Sequence, residues 1–199
     1  MILALPFAHL NLRWNPFGEP PRGERGGLAV VDLPALLPGD PLQVVGPPGR
    51  GKTTHLLALA ARHPGALYEC VPEGADRHSG TVPDGAVFLL DDAQRVRPRI
   101  LRSLLARPVA LALGTQEDLS GAAGRPLRTL RAGGVTPERL GEILRRRVEW
   151  ARRGPGPVPR VPPEAVRRLI ERHGDDVRAI EGFLYGVFQE LKEPGDVQV

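Results

Sequence analysis

The 199-residue chain has one cysteine, Cys70, one methionine and two lysines, Lys52 and Lys192, and only 5% of it is aromatic. A lone cysteine excludes an internal disulfide framework, as expected of a reducing cytoplasm. Scarce aromatics leave Leu, Val, Ile and Ala to build the core. No stretch approaches the ~20 apolar residues of a membrane span, and the apolar opening Met1–Phe7 lacks a basic lead and a clear cleavage site. The expectation is therefore a cytoplasmic chain without a membrane segment. No repeat recurs at the ~20–50 residue periods of solenoids. The length admits one α/β core with a small appendage, not two large domains. What is abundant is arginine, 25 residues, with 24 Gly and 22 Pro, for a net charge of +4.

Against that background one run stands out. Gly46-Pro47-Pro48-Gly49-Arg50-Gly51-Lys52-Thr53 places G-x-x-x-x-G-K-T directly behind the apolar stretch Leu42–Val45 and ahead of the helix-forming Thr54–Arg62. Glycines let the backbone wrap a pyrophosphate so that successive N–H groups and a helix N-terminus point at the anion. In this pattern residues 46–54, Thr54 included, cradle the phosphates, Lys52 sits against the β- and γ-phosphates, and the Thr53 hydroxyl is a ligand of Mg²⁺. The expected ligand is a nucleoside triphosphate, ATP, with Mg²⁺. Pro47 and Pro48 stiffen the loop without conflicting with that role.

Further short apolar runs bounded by Gly or Pro predict strands at Ala66–Val71, Ala86–Leu90, Pro108–Leu113 and Pro126–Arg131, and such continuous runs suit a parallel sheet buried on both faces. Helices are predicted at Arg97–Arg107, Pro137–Arg153, Pro163–His173 and Asp175–Lys192, while the crossover over 72–85 has no helical period. The fold class is thus α/β: a three-layer P-loop NTPase sheet with a small C-terminal helical lid. The Gly/Pro-rich stretch 154–163 reads as a hinge dividing a core with an N-terminal arm, 1–153, from a hinge and lid, 154–199.

The strand Val87–Leu90 ends in Asp91-Asp92. Asp91 is the expected partner of Mg²⁺ through its water shell, and Asp92 the candidate for orienting an attacking water. Aspartate reaches about one methylene less far than glutamate, which predicts slow hydrolysis. Thr115 and Gln116 end the next strand at the carboxyl edge, where open α/β sheets bind ligands. They read either as sensors of the γ-phosphate and water or as an ordinary polar loop.

The order of phosphate loop, Leu89-Leu90-Asp91-Asp92-Ala93-Gln94, polar strand end and terminal Asp176-Val177-Arg178-Ala179-Ile180-Glu181-Gly182 resembles an AAA+ ATPase. Asp-Asp-x-Gln and Val-Arg-x-x-Glu-Gly are similar to elements of bacterial replication initiators. Leu10-Asn11-Leu12-Arg13-Trp14-Asn15-Pro16-Phe17 resembles the start of secretion-type and transposition-helper ATPases. The resemblance implies that Arg178 is a second sensor on the lid, that Arg125 is an arginine finger completing a neighbour's site in a homo-oligomer, and that adenine contacts the Asn15–Phe17 arm. No DNA-binding C-terminal domain is expected, nor, with it, origin recognition.

From Gly121 to Arg160 the chain carries ten arginines and three glutamates. Arg145-Arg146-Arg147 and Arg152-Arg153 either track a phosphodiester backbone or form a solvated helix face. The sequence therefore predicts an AAA+-type ATPase acting on an unidentified protein partner or on nucleic acid. A nucleotide-gated module without turnover and a small-molecule kinase or nucleoside triphosphatase stand as alternatives.

Overall fold

In the computed structural model, which describes residues 6–199, the short apolar runs form five strands. They are β1 (Leu42–Val45), β2 (Leu67–Cys70), β3 (Val87–Asp91), β4 (Ala110–Thr115) and β5 (Arg128–Arg131), all parallel in the order β2-β3-β4-β1-β5. One strand, β4, therefore separates β1, which leads into the phosphate loop, from β3, which ends in the acidic pair.

Alternation splits the sheet's side chains between two helical layers. Leu42, Val44, Leu89, Ala110 and Ala112 meet Leu56 and Leu59 of α2 (Lys52–Arg62). Phe88, Leu90, Leu111 and Leu113 meet Leu101, Leu104 and Leu105 of α3 (Pro98–Leu105) and Ala123 of α4 (Ser120–Ala123). This is the three-layer α/β fold expected. The crossover over 72–85 contains no helix or strand, and β2, at the sheet edge, is only half covered rather than buried on both faces. A crossover without a helix supplies no layer to cover it.

The helix α1 (Arg22–Leu28) was not expected, since its three glycines lower helix propensity. It forms against α2, where Gly26 is close enough to the Leu57 carbonyl that an added Cβ would overlap it. Within β1 the polar Gln43 is fully buried yet satisfied: Nε2 donates to Asp118 Oδ1 and Thr129 Oγ1, each 2.8 Å away, and Oε1 accepts from Leu119 N at 2.9 Å.

The chain divides into two compact units, residues 22–133 and residues 6–21 with 134–199. The sequence division at 153–154 thus gives way to one at 133–134. The apolar stripe Leu140, Leu144, Val148 and Ala151 of α5 (Pro137–Ala151) joins Val166 and Leu169 of α6 (Pro163–His173), Ile180, Leu184 and Phe188 of α7 (Val177–Glu190), and Leu10 and Leu12 of the arm. Thr136 Oγ1 caps α5 by accepting from Arg139 N, and Asp176 Oδ1 caps α7 by accepting from Ala179 N. The proline-rich stretch lies inside this unit, tied to the C-terminal tail by Arg160 N to Gly195 O (2.9 Å) and Val197 N to Arg160 O (2.7 Å). Asn15 and Phe17 belong to the same core: Asn15 Nδ2 donates to the Tyr185 carbonyl, Asn15 Oδ1 accepts from Phe17 N, and the Phe17 ring stands edge-on to Phe188.

Candidate functional site

The phosphate-loop residues form a turn between β1 and α2. Gly46 is fixed at its entrance: its N–H donates to the Thr115 carbonyl at 3.1 Å, and a Cβ would stand 2.7 Å from the Ala132 carbonyl. Gly49 and Gly51 take φ of +81° and +83°, the left-handed region that glycine enters without steric cost. Gly51 is also the N-cap of α2, so no side chain closes that helix end. Among the described residues no backbone acceptor takes the N–H groups of Gly49, Gly51 or Thr53, which leaves a cluster of donors at a positive helix terminus. Lys52 is buried, with Nζ donating to the Pro47 carbonyl at 2.9 Å. The His55 ring steadies the first turn by donating from Nδ1 to the Gly51 carbonyl at 2.8 Å.

Asp91 is brought to this turn across the sheet. Its Oδ2 accepts from Thr53 Oγ1 at 2.6 Å and from Tyr68 Oη at 2.9 Å, and its Oδ1 accepts from Asp92 N at 3.0 Å. The pairing of Thr53 with Asp91 joins two positions that the sequence assigned to one metal. Asp91 is 3% exposed, and every donor that reaches it from the described residues is uncharged. A buried carboxylate without a cation is costly, and a hard divalent ion held by oxygen donors relieves that cost. Among the described residues no three His, Cys, Asp or Glu side chains gather as a metal cluster, so the pair fits an ion completed by ligand oxygens and water, as Mg²⁺ prefers.

Two residues of this site were missed by sequence reasoning. Gly114 of β4 makes room for the carboxylate: a Cβ there would overlap Asp91 Oδ1 and stand 3.0 Å from Leu56 Cδ1. A glycine inside an otherwise apolar strand was the available signal of such a close approach. Tyr68 of β2 carried no comparable signal, because its aim depends on the β2–β3 register that sets it opposite Leu89. Burial, then the Asp91 charge, push its phenol far above the usual range, so it stays a donor. The Arg22 guanidinium lies over the Tyr68 ring, 3.9 Å from its centroid.

Asp92 is treated differently from its neighbour. It takes the left-handed conformation, φ +53°, and its carboxylate is engaged by Arg95 Nη1 at 3.1 Å, Gln94 Nε2 at 3.2 Å and Cys70 Sγ at 3.7 Å. Burial, then Asp91 and Asp92, raise the Cys70 thiol above its ordinary value. Thr115 is fully buried, with its hydroxyl donating to the Glu117 carbonyl at 2.9 Å and its own carbonyl holding Gly46. Its observed part is to lock the strand end to the loop. Gln116 is exposed and its N–H donates to Gln94 Oε1. Arg125 precedes β5 at the amino edge of the sheet, where Nη2 donates to the Leu105 carbonyl at 3.3 Å. Arg178 is an exposed residue in the first turn of α7, in the helical unit.

Part of the arginine stretch is held in ion pairs. Arg145 and Arg146 both donate to Glu142, and Arg152 donates to Glu149. Arg147 is no surface residue: it is 5% exposed, paired with Glu181 at 3.2 Å and donating to the Gly18 carbonyl at 2.7 Å. Of the two readings left open, a solvated helix face fits the ion pairs, since α5 carries Glu142 three and four residues before Arg145 and Arg146.

No protein-family profile matches the chain, and no curated protein matches it in sequence. Among solved structures, a variant of Thermotoga maritima RuvB is similar with a TM-score of 0.56 at 16% identity, over 79% of this chain and 58% of that one. The chain thus matches little more than half the length of that protein. At this identity the likeness concerns architecture: the fold is α/β, a three-layer parallel sheet of the P-loop NTPase type.

Proposed function

We propose that the chain binds Mg·ATP at the turn between β1 and α2 and works as an AAA+-type ATPase, coupling nucleotide state to action on a macromolecular partner. The observation that carries this reading is the Thr53–Asp91 contact at 2.6 Å beside the buried Lys52 and the N–H groups of Gly49, Gly51 and Thr53, which no backbone acceptor takes among the described residues. Residues 46–54 would receive the phosphates, and Thr53 and Asp91 would hold the ion. When bound, Mg²⁺ supplies positive charge that stabilises negative charge developing on the transferred phosphoryl group. The chain's own part is to orient: the left-handed glycines present N–H groups, Lys52 adds a cation, and Asp92 is the group available to position water. Arg178 keeps the sensor role implied by the resemblance, to be tested as turnover lost with binding retained in Arg178→Ala.

A specific observation favours a second reading, a nucleotide-gated module that holds ATP with little turnover. Asp92 is already engaged by Arg95, Gln94 and Cys70, contacts that compete with its use as a group that orients water. Nucleotide retention and phosphate release on wild type, Lys52→Ala and Asp92→Asn separate the readings. Lys52→Ala is expected to weaken ATP binding on the order of 100-fold, the ~2.7 kcal/mol of a lost charged phosphate contact. Wild-type affinity in that variant would overturn both. ATP retained unhydrolysed by wild type would leave the gated module standing. For the partner, the paired state of Arg145, Arg146, Arg147 and Arg152 favours a protein over a phosphodiester, which would have to displace glutamates. Homo-oligomerisation belongs to the same proposal, tested by sizing with and without a slowly hydrolysed ATP analogue.

A further inference from the structure

We propose that Tyr68 is a positioning residue for the metal ligand Asp91, and that Arg22, stacked on its ring, makes α1 a support of the metal site. The inference rests on the reading of Thr53 and Asp91 as the Mg²⁺ pair and adds residues that no phosphate-loop motif contains. Asp91 Oδ2 has two donors, and they come from different layers: Thr53 from the first turn of α2, and Tyr68 from the edge strand β2. Thr53 alone leaves the carboxylate free to rotate about its bond to Cβ. A second hydroxyl on the same oxygen, with Asp92 N on the other, fixes the plane. Gly114 backs that plane on the far side, where any Cβ would collide with Oδ1. The carboxylate is thus held by three neutral donors and a wall, an arrangement that orients it without neutralising it.

Tyr68 in turn needs a support, since β2 is the half-covered edge of the sheet. Arg22 supplies it, with its guanidinium over the ring at 3.9 Å. Arg22 opens α1, which is held close to α2 by the bare Cα of Gly26 against the Leu57 carbonyl. A shift of α1 would therefore reach Asp91 through one aromatic ring. This gives a physical route by which a contact on the 22–28 segment changes metal affinity without touching the phosphate loop.

The test is fluorescent ATP-analogue binding by the whole chain, measured in EDTA and across a Mg²⁺ titration, for wild type, Tyr68→Phe and Arg22→Ala. Tyr68→Phe removes one oxygen and keeps the ring. It should raise the Mg²⁺ concentration that gives half of the metal-dependent tightening about five- to tenfold, the size of one hydrogen bond to a charged group, while leaving affinity in EDTA unchanged. Arg22→Ala keeps the hydroxyl and should shift the midpoint in the same direction by about two- to threefold. Equal losses with and without metal would mean a merely structural role and overturn the proposal, as would an unshifted midpoint in Tyr68→Phe. If Tyr68→Phe fails to fold, Arg22→Ala decides by the same criterion. Wild type that binds the analogue with no response to Mg²⁺ would defeat the metal reading of Thr53 and Asp91 itself, a result distinguishable from a failure of Tyr68 alone.

Discussion

Asp91 in the sheet unit and Arg147 in the helical unit are both buried charges, and their surroundings differ. In the sheet unit, the donors that reach the buried Asp91 from the described residues are two hydroxyls and an amide, while Gln43 is buried between the Asp118 carboxylate, the Thr129 hydroxyl and the Leu119 amide. In the helical unit Arg147 is buried as a cation facing Glu181 and the Gly18 carbonyl, and Asn15 is buried as an amide bonded to the Tyr185 carbonyl and Phe17 N. A matched ion pair is a finished piece of structure. An anion surrounded by neutral donors is oriented but uncompensated, and that contrast separates a site from a scaffold.

The largest effect that tests the contrast is expected at Gly114. Its replacement by alanine puts a methyl into Asp91 Oδ1 and against Leu56. Overpacking at such a place costs about 1–3 kcal/mol of stability. The carboxylate must also turn away, so Mg²⁺-dependent nucleotide affinity should fall on the order of 100-fold, ~2.7 kcal/mol. Urea unfolding and analogue binding measure the two separately, and intact metal dependence in Gly114→Ala would mean that the orientation of Asp91 is immaterial.

The helical unit offers the complementary test. Arg147→Ala leaves Glu181 without its cation and opens a space beside Trp150, and should cost about 2–3 kcal/mol, toward the lower end for a buried pair because Glu181 is partly exposed. Arg145→Ala on the same helix, exposed and paired with Glu142, should leave stability nearly unchanged, because solvent screens the pair. Both tryptophans, Trp14 and Trp150, lie in this unit and stack at 5.0 Å, so their fluorescence follows its unfolding directly. Equal costs for the two arginines would erase the distinction between buried and surface cations drawn here.

Much of this was legible in the chain, for reasons that differ by element. The turn between β1 and α2 could be read because its glycines stand between an apolar run and a helix former, and β1, β3 and β4 because strands covered on both faces are continuous apolar runs. Helix α6 was read to the residue, Pro163 to His173, since proline opens it and Gly174 closes it. The unit boundary was misread because proline and glycine near 154–163 signal irregular backbone, not the absence of contacts, and that segment is tied to residues 195–197. Helix α1 was invisible because packing on α2 overrides its glycine content. The role of Tyr68 depends on strand register, which no local pattern in β2 encodes, whereas Gly114 left a signal, a glycine inside an apolar strand, without naming the carboxylate it admits.

The smallest expected effect sharpens the comparison at the surface. Asp118 of the sheet unit and Glu142 of the helical unit are both held down to about 2, from ordinary values of 3.8 and 4.5. The causes differ: Ser120 and Gln43 donate to Asp118, whereas Arg145 and Arg146 donate to Glu142. Since both folded values lie below the unfolded ones, each contribution to stability is present above pH 4.5 and is lost as pH falls toward 2. Salt distinguishes them. At about 1 M ionic strength the screening length is ~3 Å, which weakens the arginine attraction far more than neutral hydrogen bonds. Carboxyl NMR titration should then show Glu142 moving back toward 4.5 while Asp118 stays low. Parallel movement of the two would mean that Asp118 is also held by charge, with Arg131 as the cation responsible, and the contrast between neutral and charged donors at these two carboxylates would fail.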